Sequence, residues 1–181
     1  MAEHSYVALL RGINVGRAKR VAMADLRALV GALGYTDVRT LLNSGNVVFR
    51  GPPGRAVAAA KAIEEALVLK LGVAARVQVI DSAALAIIVA DNPLRDVATD
   101  TARLLVFVLA PDEPRAALVQ LAGADWAGER LALGRHAAYA WCPDGVLESR
   151  AAAALGKLLG ERTTARNWNT ISKLAALCGE A

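Results

Sequence analysis

Hydrophobic positions along this chain alternate between strand-like and helix-like spacing. Tyr6 to Ile13 is an apolar run of strand length, followed by a basic loop containing glycine. Met23, Leu26, Leu29, Val30 and Leu33 then recur at helical spacing, and Gly34 supplies a C-terminal stop. Val38 to Leu42 and Val47 to Arg50 read as two strands around a tight Ser44-Gly45 turn. Gly51-Pro52-Pro53-Gly54 breaks the chain. Beyond it, Val57, Ala60, Ile63, Leu67 and Leu71 mark an amphipathic helix ended by Gly72, and Ala74 to Ile80 a further strand. The order is βαββαβ.

The second half repeats that order after a connecting helix, capped by Asp81 or Ser82, that stops before Asn92-Pro93. A strand is expected from Ala102 to Leu109 and a helix from Pro114 to Leu121. Strands follow at Arg130 to Leu133 and Ala137 to Cys142, then a helix from Ser149 to Leu159. A short extended piece near Arg162 to Ala165 and a helix from Trp168 to Leu177 complete the pattern. The expectation is an α+β protein of two tandem ferredoxin-like units, each an α/β plait, with a linker helix and a C-terminal helix. Residues 1–80 would form the first unit, and residues 81–181 the linker helix, second unit and final helix.

Length and composition fit a globular chain. At 181 residues and 55% hydrophobic content there is ample material for a core. No apolar run approaches the roughly 20 residues that span a bilayer, and Met1 to Tyr6 lacks the pattern of a signal peptide, so the expectation is a cytoplasmic protein without a membrane partner. Cys142, Cys178, His4 and His136 have no metal-ligand spacing, and neither a metal site, a disulfide framework nor a cofactor is implied. The formal charge of +4 is unevenly spread. Residues 1–80 carry 11 Lys/Arg against 5 Asp/Glu, and residues 81–181 carry 10 against 12. The basic front half favours an anionic partner, a small molecule or nucleic acid. Arginine also outnumbers lysine 16 to 5 in an alanine-rich chain, a bias that genomic base composition alone can produce without any functional meaning.

Three polar words stand out from this background: Arg11-Gly12-Ile13-Asn14-Val15-Gly16, Asn43-Ser44-Gly45-Asn46-Val47-Val48-Phe49 and Arg166-Asn167-Trp168-Asn169-Thr170. With Met23-Ala24-Asp25-Leu26-Arg27 and the Ser149-Arg150 pair, in this order, they resemble the bacterial family known as domain of unknown function 1697. The resemblance implies a paired ferredoxin-like architecture and no particular reaction. Arg17 stands where relatives usually have a second glycine, and Arg150 where they usually have lysine. A fork of donors thus replaces a point charge at position 150, so a lysine-dependent reaction there is not expected.

The βαββαβ topology fixes which loops share an end of the sheet. Arg11, Asn14, Lys19 and Arg20 should converge on Asn43, Ser44 and Asn46, where the arginine forks and exposed backbone N–H groups would suit a phosphate or carboxylate. The structural alternative is that these asparagines lock tight turns. In the second unit Ser149 and Arg150 should lie at the same end as Arg166, Asn167, Trp168 and Asn169, with two helix N-termini offering an oxyanion cradle. Its alternative is plain capping by Ser149 and Asn167, with Trp168 closing the core.

Enzyme machinery is not evident. The sequence has no GxSxG elbow, no Walker loop and no histidine beside a plausible nucleophile. Tyr6 and Phe49 do not reproduce the aromatic pair of an RNA-recognition motif. The expected function is therefore binding of a small anionic ligand or nucleic-acid phosphate through these Arg/Asn loops. A structural or protein-interaction module is the runner-up, and a hydrolase or transferase the third class.

Overall fold

The computed structural model describes residues 3–179 and is an α+β protein built from two βαββαβ repeats. The first contains β1 (His4–Leu10), α1 (Met23–Ala32), β2 (Thr36–Leu41), β3 (Asn46–Gly51), α2 (Ala56–Leu71) and β4 (Val77–Asp81). After α3 (Ser82–Ala90) come β5 (Leu104–Val108), α4 (Ala116–Ala122), β6 (Arg130–Leu133), β7 (Ala137–Trp141), α5 (Arg150–Leu159) and β8 (Thr164–Asn167), and α6 (Trp168–Gly179) is last. Each repeat makes one antiparallel sheet, ordered β2-β3-β1-β4 and β6-β7-β5-β8.

Two compact units result. One comprises Met1–Leu85 together with Leu174–Ala181, the other Ala86–Lys173, so α3 is divided between them and the end of α6 belongs to the first. In the first unit Tyr6, Ala8, Leu10, Val47 and Phe49 face α1 and α2 in one core, which Leu26, Leu29, Val30, Ile63 and Leu67 complete. The opposite face of the same strands is also buried, with Val7, Leu9 and Val48 almost wholly inaccessible. On that face Arg39 donates to the Leu177 carbonyl at 3.1 Å. Burial on both faces explains why β1 is apolar without a break from Tyr6 to Leu10 instead of alternating. The second unit has its own core of Phe107, Leu118, Leu131, Ala138, Ala151, Leu155 and Leu159. On the other face of its sheet the Tyr139 hydroxyl donates to the Ile88 carbonyl at 2.6 Å.

Several boundaries differ from the sequence expectation. β1 stops at Leu10 rather than Ile13, because the Leu10 N–H donates to the Gly45 carbonyl and Gly12 and Asn14, at φ 70° and 55°, turn the chain away. Ile13 remains buried, so apolar character outlasts the strand. β2 starts at Thr36, two residues early, and has an irregular register between Thr36 and Arg39 where Asp37 takes φ 48°. The connection from β2 to β3 is a four-residue loop, Leu42 to Gly45, not a two-residue turn, with Leu42 and Gly45 left-handed. The connecting helix is capped by Asp81, whose carboxylate accepts from the Ala84 N–H at 2.7 Å.

Candidate functional site

One end of the first sheet collects the loop after β1 and the loop between β2 and β3. The Asn14 side chain clasps them. Its Nδ2 donates to the Val21 carbonyl at 2.9 Å and to the Asn43 carbonyl at 2.7 Å, while its Oδ1 accepts from the Val21 N–H at 2.8 Å. Its own N–H donates to the Lys19 carbonyl. Asparagine suits this place because it tolerates the left-handed backbone and carries both a donor and an acceptor on a short side chain. Asn46 is fully buried and locks the neighbouring loop, donating to the Leu41 carbonyl and to Ser44 Oγ. A Cβ on Gly45 would lie 2.7 Å from Leu10 Cβ and 2.8 Å from Ile13 Cδ1, so only glycine lets this loop close onto β1.

The clasp presents cations. Arg17, Lys19 and Arg20 are exposed, and none of the three side chains makes an ion pair or hydrogen bond among the described residues. Arg11 is half-buried, and its N–H donates to the Arg76 carbonyl, which brings Arg76 to the same end. No acidic residue occurs between Arg11 and Ala24. Val15 and Leu42, one residue from each partner of the Asn14–Asn43 hydrogen bond, are 71% and 55% exposed. Asn43 and Ser44 are exposed at the rim and contribute backbone and turn hydrogen bonds.

The second polar cluster is built differently. Ser149 is the N-cap of α5, its Oγ accepting from the Ala152 N–H at 3.0 Å, and it donates its hydroxyl to Glu129. The Glu129 carboxylate also accepts from the Arg150 N–H at 3.0 Å and the Ala151 N–H at 3.1 Å. The helix N-terminus expected to cradle an external anion thus holds a carboxylate from the chain itself. At the start of α6, Asn167 Oδ1 accepts from the Thr170 N–H and hydroxyl, again a cap. Asn169 is exposed and accepts from the Thr101 hydroxyl. Trp168 is half-buried rather than a core plug, with the Arg95 guanidinium 5.9 Å from its ring centre. Arg166, on the sheet face shared with Val106, has its pKa pushed down to about 10 by burial.

Glu129 is the residue the sequence reading missed. It lies 20 positions before Ser149, in a stretch with no distinctive motif, so no local spacing could have paired it with that cap. Both cysteines are free and buried, and burial raises both thiols, Cys178 to about 11. Among the described residues no helix is long and apolar enough to cross a membrane, and no group of three acidic, histidine or cysteine side chains is placed to hold a metal.

A pair of βαββαβ repeats with a basic, asparagine-clasped loop end defines a class of α+β protein. The chain belongs to the family described as "Protein of unknown function (DUF1697)", whose model matches residues 4–139. The match ends before Arg166, but likeness in structure runs further. A conserved bacterial protein, SP0830 from Streptococcus pneumoniae, is similar over 98% of this chain and 99% of its own, with a TM-score of 0.78 at 21% sequence identity. That likeness is one of fold. No curated protein matches the chain.

Proposed function

We propose that this protein binds an anionic, phosphate-bearing ligand at the basic loop end of its first unit. The observation behind this reading is the Asn14 clasp, which fixes the loop carrying Arg17, Lys19 and Arg20 against the Asn43 carbonyl while those three side chains stay in solvent without acidic partners. A positioned loop with cations loses less freedom on binding than a mobile one. Ser149, Arg150, Arg166, Asn167, Trp168 and Asn169 are assigned to capping and packing, since Glu129, Thr170, Arg95 and Thr101 already engage their neighbourhood. Within the same reading each unit is a ferredoxin-like plait, the pair arose by duplication, and the protein works in the cytoplasm.

The test is thermal unfolding at low salt with inorganic phosphate, pyrophosphate, nucleotides and short oligonucleotides. A ligand at about 100 times its dissociation constant should stabilise the protein by roughly 2.7 kcal/mol. Joint replacement of Arg17, Lys19 and Arg20 by glutamine should remove that gain. An equal shift in the variant would reject the site.

A protein-interaction role has one observation of its own. Helix α2 exposes Val57, Val68 and Leu69 at 80%, 50% and 85%. Val57 and Val68 are 11 positions apart, about three helical turns, and share a face. Association through that face would be insensitive to salt, unlike phosphate binding.

A further inference from the structure

We propose that the basic loop of the first unit takes the sugar-phosphate backbone of a double-stranded nucleic acid without reading its bases. The inference rests on the reading of this loop as an anion site and narrows the ligand by what surrounds it. Of the three aromatic residues of the unit, two lie within its core and the third, half-buried Tyr35, packs against it. Tyr6 and Phe49 are inaccessible, with ring centres 5.6 Å apart, and Tyr35 packs on Phe49 at 4.7 Å. The other face of the sheet offers no platform either, since Val7, Leu9 and Val48 are buried. Single-strand binders combine cations with exposed aromatic rings on which bases stack. Here the cations are present and the rings are not.

Exposure argues against a small anion as the preferred ligand. Every residue from Val15 to Arg20 is exposed, so a single phosphate on this loop would keep most of its water and gain little. A duplex is different, because it hides its bases and displays a dense line of phosphates. Each contact with it releases condensed counterions, an entropic gain that needs no enclosing cavity. Arg17, Lys19 and Arg20 lie within four residues of one another on a loop held at both ends, Asn14 to Lys19 and Asn14 to Val21. That spacing lets them engage neighbouring phosphates together. Val15 and Leu42 can rest against the sugar edge beside them.

The experiment is fluorescence anisotropy with a labelled duplex and its matching single strand, over about 50 to 200 mM salt. The duplex should bind more tightly than the single strand. With three phosphates contacted, its affinity should fall about 40-fold across that range. The variant carrying Arg17→Gln, Lys19→Gln and Arg20→Gln, shown by its unfolding midpoint to be folded, should lose binding and most of the salt dependence, while Arg20→Lys should retain both. Tighter binding of the single strand, or a duplex affinity unchanged in the glutamine variant, would overturn the proposal. So would binding to phosphatidylglycerol vesicles without binding to duplex. If pyrophosphate stabilises the protein and the duplex does not bind, this inference falls and the anion site stands. If neither acts, both fall.

Discussion

Glu129 and Ser149 are joined at the start of α5: the serine hydroxyl donates to the carboxylate, and that carboxylate also receives the Arg150 and Ala151 N–H groups. A helix N-terminus carries unsatisfied donors and a positive partial charge, so a carboxylate held there stabilises the helix twice over. Glu129→Ala should lower unfolding stability by about 2 to 3 kcal/mol, because it strands several donors at a partly buried helix end. Urea denaturation measures this directly. A loss below about 0.5 kcal/mol would mean water replaces the carboxylate without penalty.

The loop between β2 and β3 contains two left-handed residues with opposite expectations. Gly45, at φ 82°, has no room for a methyl group between Leu10 and Ile13, so Gly45→Ala should cost several kcal/mol, on the order of 3 or more, through strain and overpacking together. Leu42, at φ 60° and largely exposed, loses little packing when truncated, and Leu42→Gly should be neutral or stabilising by about 1 kcal/mol. Thermal unfolding should therefore show a large loss for Gly45→Ala and none for Leu42→Gly. Equal losses would show that the loop tolerates neither change for a reason other than backbone conformation.

Asn14 combines backbone strain relief with three side-chain hydrogen bonds, and two substitutions separate the contributions. Asn14→Gly keeps access to φ 55° but removes the bonds to Val21 and Asn43, for an expected loss of about 2 kcal/mol. Asn14→Ala removes both and should be about 1 kcal/mol worse. If the loop position matters for ligand binding, both variants should also weaken phosphate-induced stabilisation while leaving Arg17, Lys19 and Arg20 in place. Isothermal titration with pyrophosphate would reveal whether affinity follows clasp loss.

Cys178 gives a pH prediction. Burial raises its folded pKa to about 11 from an ordinary value of 9.0, so the folded state holds the proton over an interval where the unfolded chain releases it. The associated stability is fully present below pH 9 and declines as pH rises through 11. Cys178→Ala should flatten that part of the stability profile, whatever it costs at neutral pH. Neither thiol should react with Ellman's reagent at pH 8 until the protein unfolds, since both are buried and protonated. Prompt labelling of the native protein would contradict the burial of these cysteines.

The order of elements was legible in the sequence because each depends on neighbours a few positions away. Leu26, Leu29 and Val30 repeat at helical spacing, Gly72 ends α2 in a left-handed conformation, and Ser149 and Asn167 cap the helices expected of them. The approach of the loop after β1 to the loop after β2 was also legible, since βαββαβ connectivity allows one arrangement of strand ends. Strand limits were less so: Ile13 is apolar for the core yet lies past the end of β1, and Leu42 is left-handed where a strand residue was expected.

By itself the sequence determined the two repeats, the capping residues and the presence of cations near Asn14, because these follow from local periodicity, side-chain chemistry and topology. Tertiary structure alone decided which polar groups are already satisfied. Glu129 meets Ser149 across 20 residues of chain, Asn14 meets Asn43 across 29, and Arg39 reaches Leu177 across 138. Local propensity does not encode such partners, since a carboxylate or guanidinium finds its place only when packing brings distant backbone ends together. That difference separates the two clusters that looked alike in sequence: one helix end holds an internal anion, and one loop keeps its cations in water.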